Sequence, residues 1–260
     1  MTLIKSISGI RGTIGHNQGA HLTPEAIVQF TSAYALWVRR QEGIHAVKVV
    51  IGRDARLSGD MVSHIVLGTL MAMGIDVVNL GLATTPTVEM AVVAEKAQGG
   101  IILTASHNPL QWNALKLLNH RGEFLNKEEG EEILNLAAQQ NMEYAEVHQL
   151  GKVVARDHYL DYHIQKILEL PQVDSQVISS AGFRVVVDGI NSVGGFAIPA
   201  LLRALQVKEV IELNCDPTGD FAHNPEPLPA NLTEITQAVR NNQAHLGFVV
   251  DPDVDRLAIV

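Results

Sequence analysis

Six short aliphatic runs, most of them released into a loop and followed by a helix-start signal, set the strongest limit on how this chain can fold. They are Ala46–Ile51, Ile75–Leu80, Gly100–Leu103, Phe183–Val187, Val207–Leu213 and Leu246–Val250. Runs rich in Val, Ile and Leu read as strands, and those without a polar interruption, such as Gly100–Leu103, as buried ones. Helix-start signals fall between them. Thr23-Pro24 opens a helix to about Arg40, Ser58 caps one to Met73, and Thr85-Pro86 starts one to about Lys96. Asn126 with Glu129 forms a capping box for a helix ending near Gln140. Later helices are expected over Ser192–Leu205 and after Asn231, with Glu234 at the third position. Strand–loop–helix alternation predicts an α/β fold: two tandem α/β/α layer sandwiches with mixed, mainly parallel sheets. The polar stretch Asn141–His148 marks a junction, so the expected domains are residues 1–150 and 151–260, bridged by a helix over Ala155–Leu170 that Pro171 stops.

Composition agrees with that architecture and narrows the partners. Hydrophobic residues make up 47% of the chain and aromatics only 5%, so the core rests on aliphatic side chains. A net charge of −9 without a basic patch argues against nucleic acid as a partner. The single cysteine, Cys215, excludes an internal disulfide and reads as a small core or loop residue. Residues 1–5 carry no signal-peptide pattern and no stretch is long enough to span a bilayer, so a soluble, cytoplasmic protein is expected, with no membrane partner.

The polar residues gather at strand ends. After Gly100–Leu103 comes Thr104-Ala105-Ser106-His107-Asn108-Pro109, where Pro109 fixes one backbone angle and turns Asn108 away from helix. A hydroxyl presented there, with His107 beside it and Lys116 ten residues on, can carry or pass a phosphoryl group; a plain turn capped by Ser and Asn has the same composition. Near the N-terminus a short strand breaks at Ser8-Gly9 and again at Gly12, leaving Arg11 between flexible residues. That arrangement lets a guanidinium fork onto phosphate, although a hairpin with a solvated arginine would look alike. Lys116 lies in an alternating stretch read as a strand, on the face opposite its apolar neighbours.

Asp251, Asp253 and Asp255 follow the Leu246–Val250 run at alternate positions. Three hard oxygen donors that repel one another call for a cation, and Mg²⁺ suits a site with few carboxylates completed by phosphate oxygens. An EF-hand loop would need Gly at its sixth position, where this chain has Arg256. A dehalogenase-type phosphatase places Asp-x-Asp near the start of its core, and a plain acidic turn would leave the repulsion unrelieved.

Ser-Gly-Ile-Arg-Gly, Gly-Arg-Asp-x-Arg (Gly52 to Arg56), Thr-Ala-Ser-His-Asn-Pro and Asp-x-Asp-x-Asp-Arg, in this order, resemble the α-D-phosphohexomutase family of phosphoglucomutases, phosphomannomutases and phosphoglucosamine mutases. The resemblance covers essentially the whole chain. It implies an isomerase that moves phosphate between the 1- and 6-positions of a hexose phosphate through a phosphoserine and a hexose 1,6-bisphosphate. Ser106 would be that phosphoserine, and Asp251, Asp253 and Asp255 would hold Mg²⁺ together with it. Arg11, Lys116 and Arg256 would surround the transferring group. Lys116 resembles the proton-transfer residue, its pKa expected to be depressed by Arg11 and Arg256. His107 either orients the serine loop or satisfies a carbonyl. His223-Asn224-Pro225-Glu226-Pro227 resembles a loop that shapes the cleft wall.

Two departures stand out. Asn113-Ala114 occupies the place of the family's usual Asn-Gly, so either the turn there is right-handed or the loop is shaped differently. Family enzymes have four domains and this chain resembles the first two, which leaves the sugar unassigned, with phosphoglucosamine the favoured guess. The chain alone is therefore expected to show little or no mutase activity. A metal- and phosphate-binding module dependent on a partner chain, or a slow phosphatase, is the alternative. The surface left open near residues 250–260 would either self-associate or be used by Leu257–Val260 as an edge strand.

Overall fold

The computed structural model describes residues 2–6, 9–15, 20–42, 47–139 and 141–260. The expected break at Ser8, the strand start at Ala46 and the helix end at Gln140 lie outside them.

The first sheet has seven strands: β1 (Ile4–Ser6), β2 (Gly9–Thr13), β3 (Lys48–Arg53), β4 (Asp76–Leu82), β5 (Gly99–Leu103), β6 (Trp112–Leu118) and β7 (Val153–Ala155). Their order is β1-β2-β6-β5-β3-β4-β7, parallel across β5, β3, β4 and β7 and antiparallel elsewhere. Helices α1 (Pro24–Glu42), α2 (Gly59–Ala72) and α4 (Lys127–Gln139) cover one face, while α3 (Thr85–Ala94) and α5 (Tyr159–Leu168) cover the other. After a short helix α6 (Ser175–Ala181) comes the second sheet, β8 (Arg184–Asp188), β9 (Glu209–Leu213), β10 (Leu246–Val250) and β11 (Leu257–Ile259), in the order β11-β10-β8-β9. Helices α7 (Gly194–Ala204) and α8 (Thr233–Asn241) pack on its two faces. Both sheets are mixed layers of an α/β fold: the first has three parallel and three antiparallel pairings and the second two parallel and one antiparallel, so parallel pairing prevails by five to four over the two.

Several local expectations meet different partners. The stretch expected to be one helix over Ala155–Leu170 instead ends β7 and then forms α5; β7 pairs with β4, so the first sheet extends past residue 150. Gly12 does not break the first strand, because β1 and β2 form an antiparallel hairpin with Arg11 opposite Ile4. Gly9 needs to be glycine twice over: its φ is +134° and a Cβ there would lie 2.3 Å from the Leu115 carbonyl oxygen. Asn113 and Ala114 make no turn. They lie within β6, with Ala114 opposite Arg11, so alanine is at no disadvantage. Ser58 sits at the start of α2 without capping it, and its Oγ accepts from Asn113 Nδ2. Asn231 does not cap α8; its side-chain amide donates to the Glu226 carbonyl.

The Asn126 capping box forms as expected. Glu129 N–H donates to Asn126 Oδ1 at 2.9 Å and Asn126 N–H to Glu129 Oε2 at 2.8 Å. Asn126→Ala is expected to cost about 1 kcal/mol, read as a shift in denaturation midpoint. β11 is the edge strand of the second sheet, leaving the Leu257 and Ile259 side chains exposed. No helix among the described residues is long and apolar enough to cross a membrane.

Candidate active site

The site forms where the C-terminal ends of the parallel strands of both sheets face each other, as ligand-binding loops do in open α/β sheets. β5 ends at Leu103 and delivers Ser106 at φ +49°, a left-handed conformation that non-glycine residues adopt only when neighbours hold it. The holding is done chiefly by Arg56, a residue the sequence reading left without a task. Its guanidinium is fully buried, and its Nε donates to Asp54 Oδ2 at 2.9 Å. Its Nη2 donates to the Ser106 carbonyl and its Nη1 to that of Trp112, each at 2.6 Å, with further donation to Asn108 and Pro109. Thr104 closes the arrangement, accepting from Ser106 N–H and donating to Asp54 Oδ2. One buried ion pair thus fixes the whole serine loop.

β10 ends at Val250 and presents the three aspartates to that serine. Ser106 Oγ donates to Asp251 Oδ2 at 2.5 Å and lies 3.5 Å from Asp255 Oδ1. Lys116 Nζ, from β6, donates to Asp253 Oδ2 at 2.7 Å and to Asp255 Oδ2 at 2.9 Å. Helix α3 steadies the aspartate loop from the other side: Thr85 N–H donates to the Asp253 carbonyl and Thr85 Oγ1 to Asp253 Oδ2. Ser192 links the units again, its Oγ accepting from Ala55 N–H and donating to the Pro252 carbonyl.

Carboxylate oxygens from Asp251, Asp253 and Asp255 all lie within 4.8 Å of one another. Burial and the neighbouring Asp253 charge push the Asp251 carboxyl well above its usual range. Asp253 Oδ1 is buried without a hydrogen-bond partner among the described residues. An oxygen-only donor set with crowded charge and one orphaned oxygen is what a hard divalent cation would satisfy. The residues present fit a metal.

Lys116 departs from expectation. Burial pulls its ammonium down, but Asp253 and Asp255 outweigh this and leave its pKa raised. The two aspartates at hydrogen-bond distance, rather than the arginines expected from the sequence, are the charges that act on it most strongly. Arg11 is exposed on β2 and, with Arg256, lines a cleft of about 240 Å³ that also contains Ser106, His107 and Lys116. Arg256 donates to Glu226 Oε1 at 3.3 Å. His107 Nδ1 lies 3.4 Å from Ser106 Oγ, and burial followed by the Arg256 charge lowers its pKa. Every predicted site residue therefore borders one place. Glu89, one turn along α3 from Thr85, was not anticipated; burial pushes its carboxyl up to about 7 beside Lys116 and the aspartates. Cys215 is half-buried, and burial raises its thiol pKa to about 11, so it stays protonated as expected of a packing residue.

Comparison with known sequences gives the lineage. Residues 3–143 match the sequence model of phosphoglucomutase/phosphomannomutase α/β/α domain I, and residues 158–260 match that of domain II. The chain belongs to the phosphoglucomutase/phosphomannomutase family. A family member from Methanopyrus kandleri named "Probable phosphoglucosamine mutase" is 35% identical over 254 residues, 97% of this chain and 52% of that protein. A "Phosphoglucomutase/phosphomannomutase" from Thermococcus kodakarensis is 34% identical over 253 residues, 97% of this chain and 54% of that one. In three dimensions, a phosphoglucomutase/phosphomannomutase family protein from Burkholderia thailandensis superposes with a TM-score of 0.80 at 27% identity, covering all of this chain and 55% of that one. The chain spans about half the length of the curated relatives it matches.

Proposed function

We propose that this chain carries the phosphoserine and metal-binding portions of a phosphohexomutase. The protein would interconvert hexose 1- and 6-phosphates through a hexose 1,6-bisphosphate. The observation that carries this reading is the 2.5 Å hydrogen bond from Ser106 Oγ to Asp251 Oδ2, which sets a nucleophile against a cation-ready carboxylate cluster. Residues 1–150 would supply the serine and residues 151–260 the aspartates, with β7 and α5 packed on the first unit although they lie past residue 150. The names of the relatives favour phosphoglucosamine as the sugar. The single cysteine is in keeping with a cytoplasmic enzyme.

In the charging direction, Ser106 Oγ bonds to phosphorus as the bond from phosphorus to the sugar oxygen breaks. The serine proton leaves toward Asp251 Oδ2. Lys116, held as an ammonium, returns a proton to the departing sugar oxygen; in the reverse step the same Nζ takes it back. Arg11 and Arg256 offer guanidinium groups to the phosphoryl oxygens, and His107 orients the serine loop. Mg²⁺ held by Asp251, Asp253, Asp255 and the serine oxygen would neutralise charge on the transferring group.

For this chain the observable half-reaction is charging. Incubation with glucose 1,6-bisphosphate and Mg²⁺ is expected to add one phosphate to the intact mass, and Ser106→Ala to abolish the gain. A folded native chain that gains no phosphate, or a gain that persists in the variant, would refute the assignment of Ser106.

A further inference from the structure

The loop His223-Asn224-Pro225-Glu226-Pro227 is tied down more firmly than a cleft wall requires. His223 Nε2 bonds to Oδ2 of the buried Asp188 at 2.9 Å, and its Nδ1 to the Asn224 carbonyl at 2.9 Å. Glu226 N–H donates to Asn224 Oδ1 at 3.1 Å, while the Glu226 carbonyl accepts from Asn231 Nδ2 at 2.7 Å. Both backbone polar groups of Glu226 are therefore engaged. Prolines on either side restrict it further: Pro225 and Pro227 fix their own φ, and a residue before proline is confined to extended conformations.

All this rigidity converges on one exposed ion pair. Arg256 Nη1 meets Glu226 Oε1 with the two side chains 43% and 35% exposed. Such a pair contributes about 0–1 kcal/mol to stability, so folding energy does not account for the restraint. Orientation does. A long arginine at a cleft mouth loses rotamer freedom whenever it grips an anion, and a fixed carboxylate behind it removes part of that cost beforehand.

We infer that Glu226 is a positioning residue that pre-orients Arg256 toward the phosphate-binding cleft, with Asp188, His223 and Asn231 anchoring the strap that carries it. The inference rests on the reading of Arg256 as a phosphate-binding residue. It makes a distinctive demand. Deleting a negative charge beside an anion site should, by charge alone, strengthen anion binding; losing a positioning group should weaken it.

The test is titration calorimetry of the whole chain with inorganic phosphate. Arg256→Ala should raise the dissociation constant by about 10–100-fold, the worth of a charge-assisted hydrogen bond. Glu226→Ala should raise it by about 3–10-fold, one immobilised side chain's entropy. Glu226→Gln, which keeps an acceptor oxygen without the charge, should stay near the native value, and Glu226→Ala should have no effect in an Arg256→Ala background. Melting temperatures near native in all variants would exclude unfolding as the cause. Glu226→Ala binding as tightly as native or more so, Ala and Gln behaving alike, or an effect persisting without Arg256 would each overturn the positioning role. Absent phosphate binding by the native chain, or an Arg256→Ala variant that binds as native does, would instead overturn the phosphate reading of Arg256, and the positioning role with it.

Discussion

Arg56→Met is expected to destabilise the chain by about 3–5 kcal/mol, the cost of removing one partner from a buried ion pair. Burial already pushes the Asp54 carboxyl above its usual range, and the variant would lose the guanidinium that opposes that rise, leaving Thr104 Oγ1 and the backbone N–H of residue 56 as its donors. Four carbonyls of the serine loop and β6, those of Ser106, Asn108, Pro109 and Trp112, would lose the guanidinium together. Lysine is not a substitute, because one ammonium cannot reproduce a planar fork that reaches Asp54 and the loop at once. Urea denaturation of native, Arg56→Met and Arg56→Lys chains measures this directly, and charging of Ser106 should fall in parallel as its φ of +49° relaxes. A loss below about 1 kcal/mol would place the anchor of the loop elsewhere.

Asp251→Asn should act in two opposite directions. Without a divalent cation, the variant is expected to melt at a higher temperature than the native chain, because burial and the Asp253 charge disfavour the ionised Asp251 carboxyl, a penalty asparagine does not carry. Asparagine still offers Oδ1 to the N–H groups of Asp255 and Arg256, so the loop keeps its shape. With saturating Mg²⁺ the order should reverse. A cation at about 100 times its dissociation constant stabilises the native chain by about 2.7 kcal/mol, a gain the variant should largely forfeit. Thermal melts in EDTA and across an Mg²⁺ series would show the crossing. Parallel curves for the two proteins would mean that Asp251 is not a ligand.

The sequence was most informative where the determinant is local. The strand from Leu246 to Val250 is legible because five residues lack polar interruption, and the Asn126–Glu129 box because the reciprocal bonds span three residues. The aspartates declared themselves by spacing. The task of Arg56 did not, because the carbonyls it holds lie some fifty residues away and become neighbours only when β3 and β5 pair. β7 is three residues long, too short to show a period. α6, capped by Asp174, went unread in a polar stretch with no apolar face to mark it. Lys116 lies in a strand as its alternating neighbours suggest, but its electrostatic neighbours are not legible, since register decides which charges it meets. The structure sets it against Asp253 and Asp255.

The bond between Ser106 and Asp251 joins residues 145 positions apart. During synthesis the serine therefore emerges long before its carboxylate partners exist, and local contacts complete the first sheet's helices ahead of so distant a closure. On the role proposed for Ser106, its reactivity would wait on the docking of the second sheet, and a half-finished chain would carry an ordinary serine.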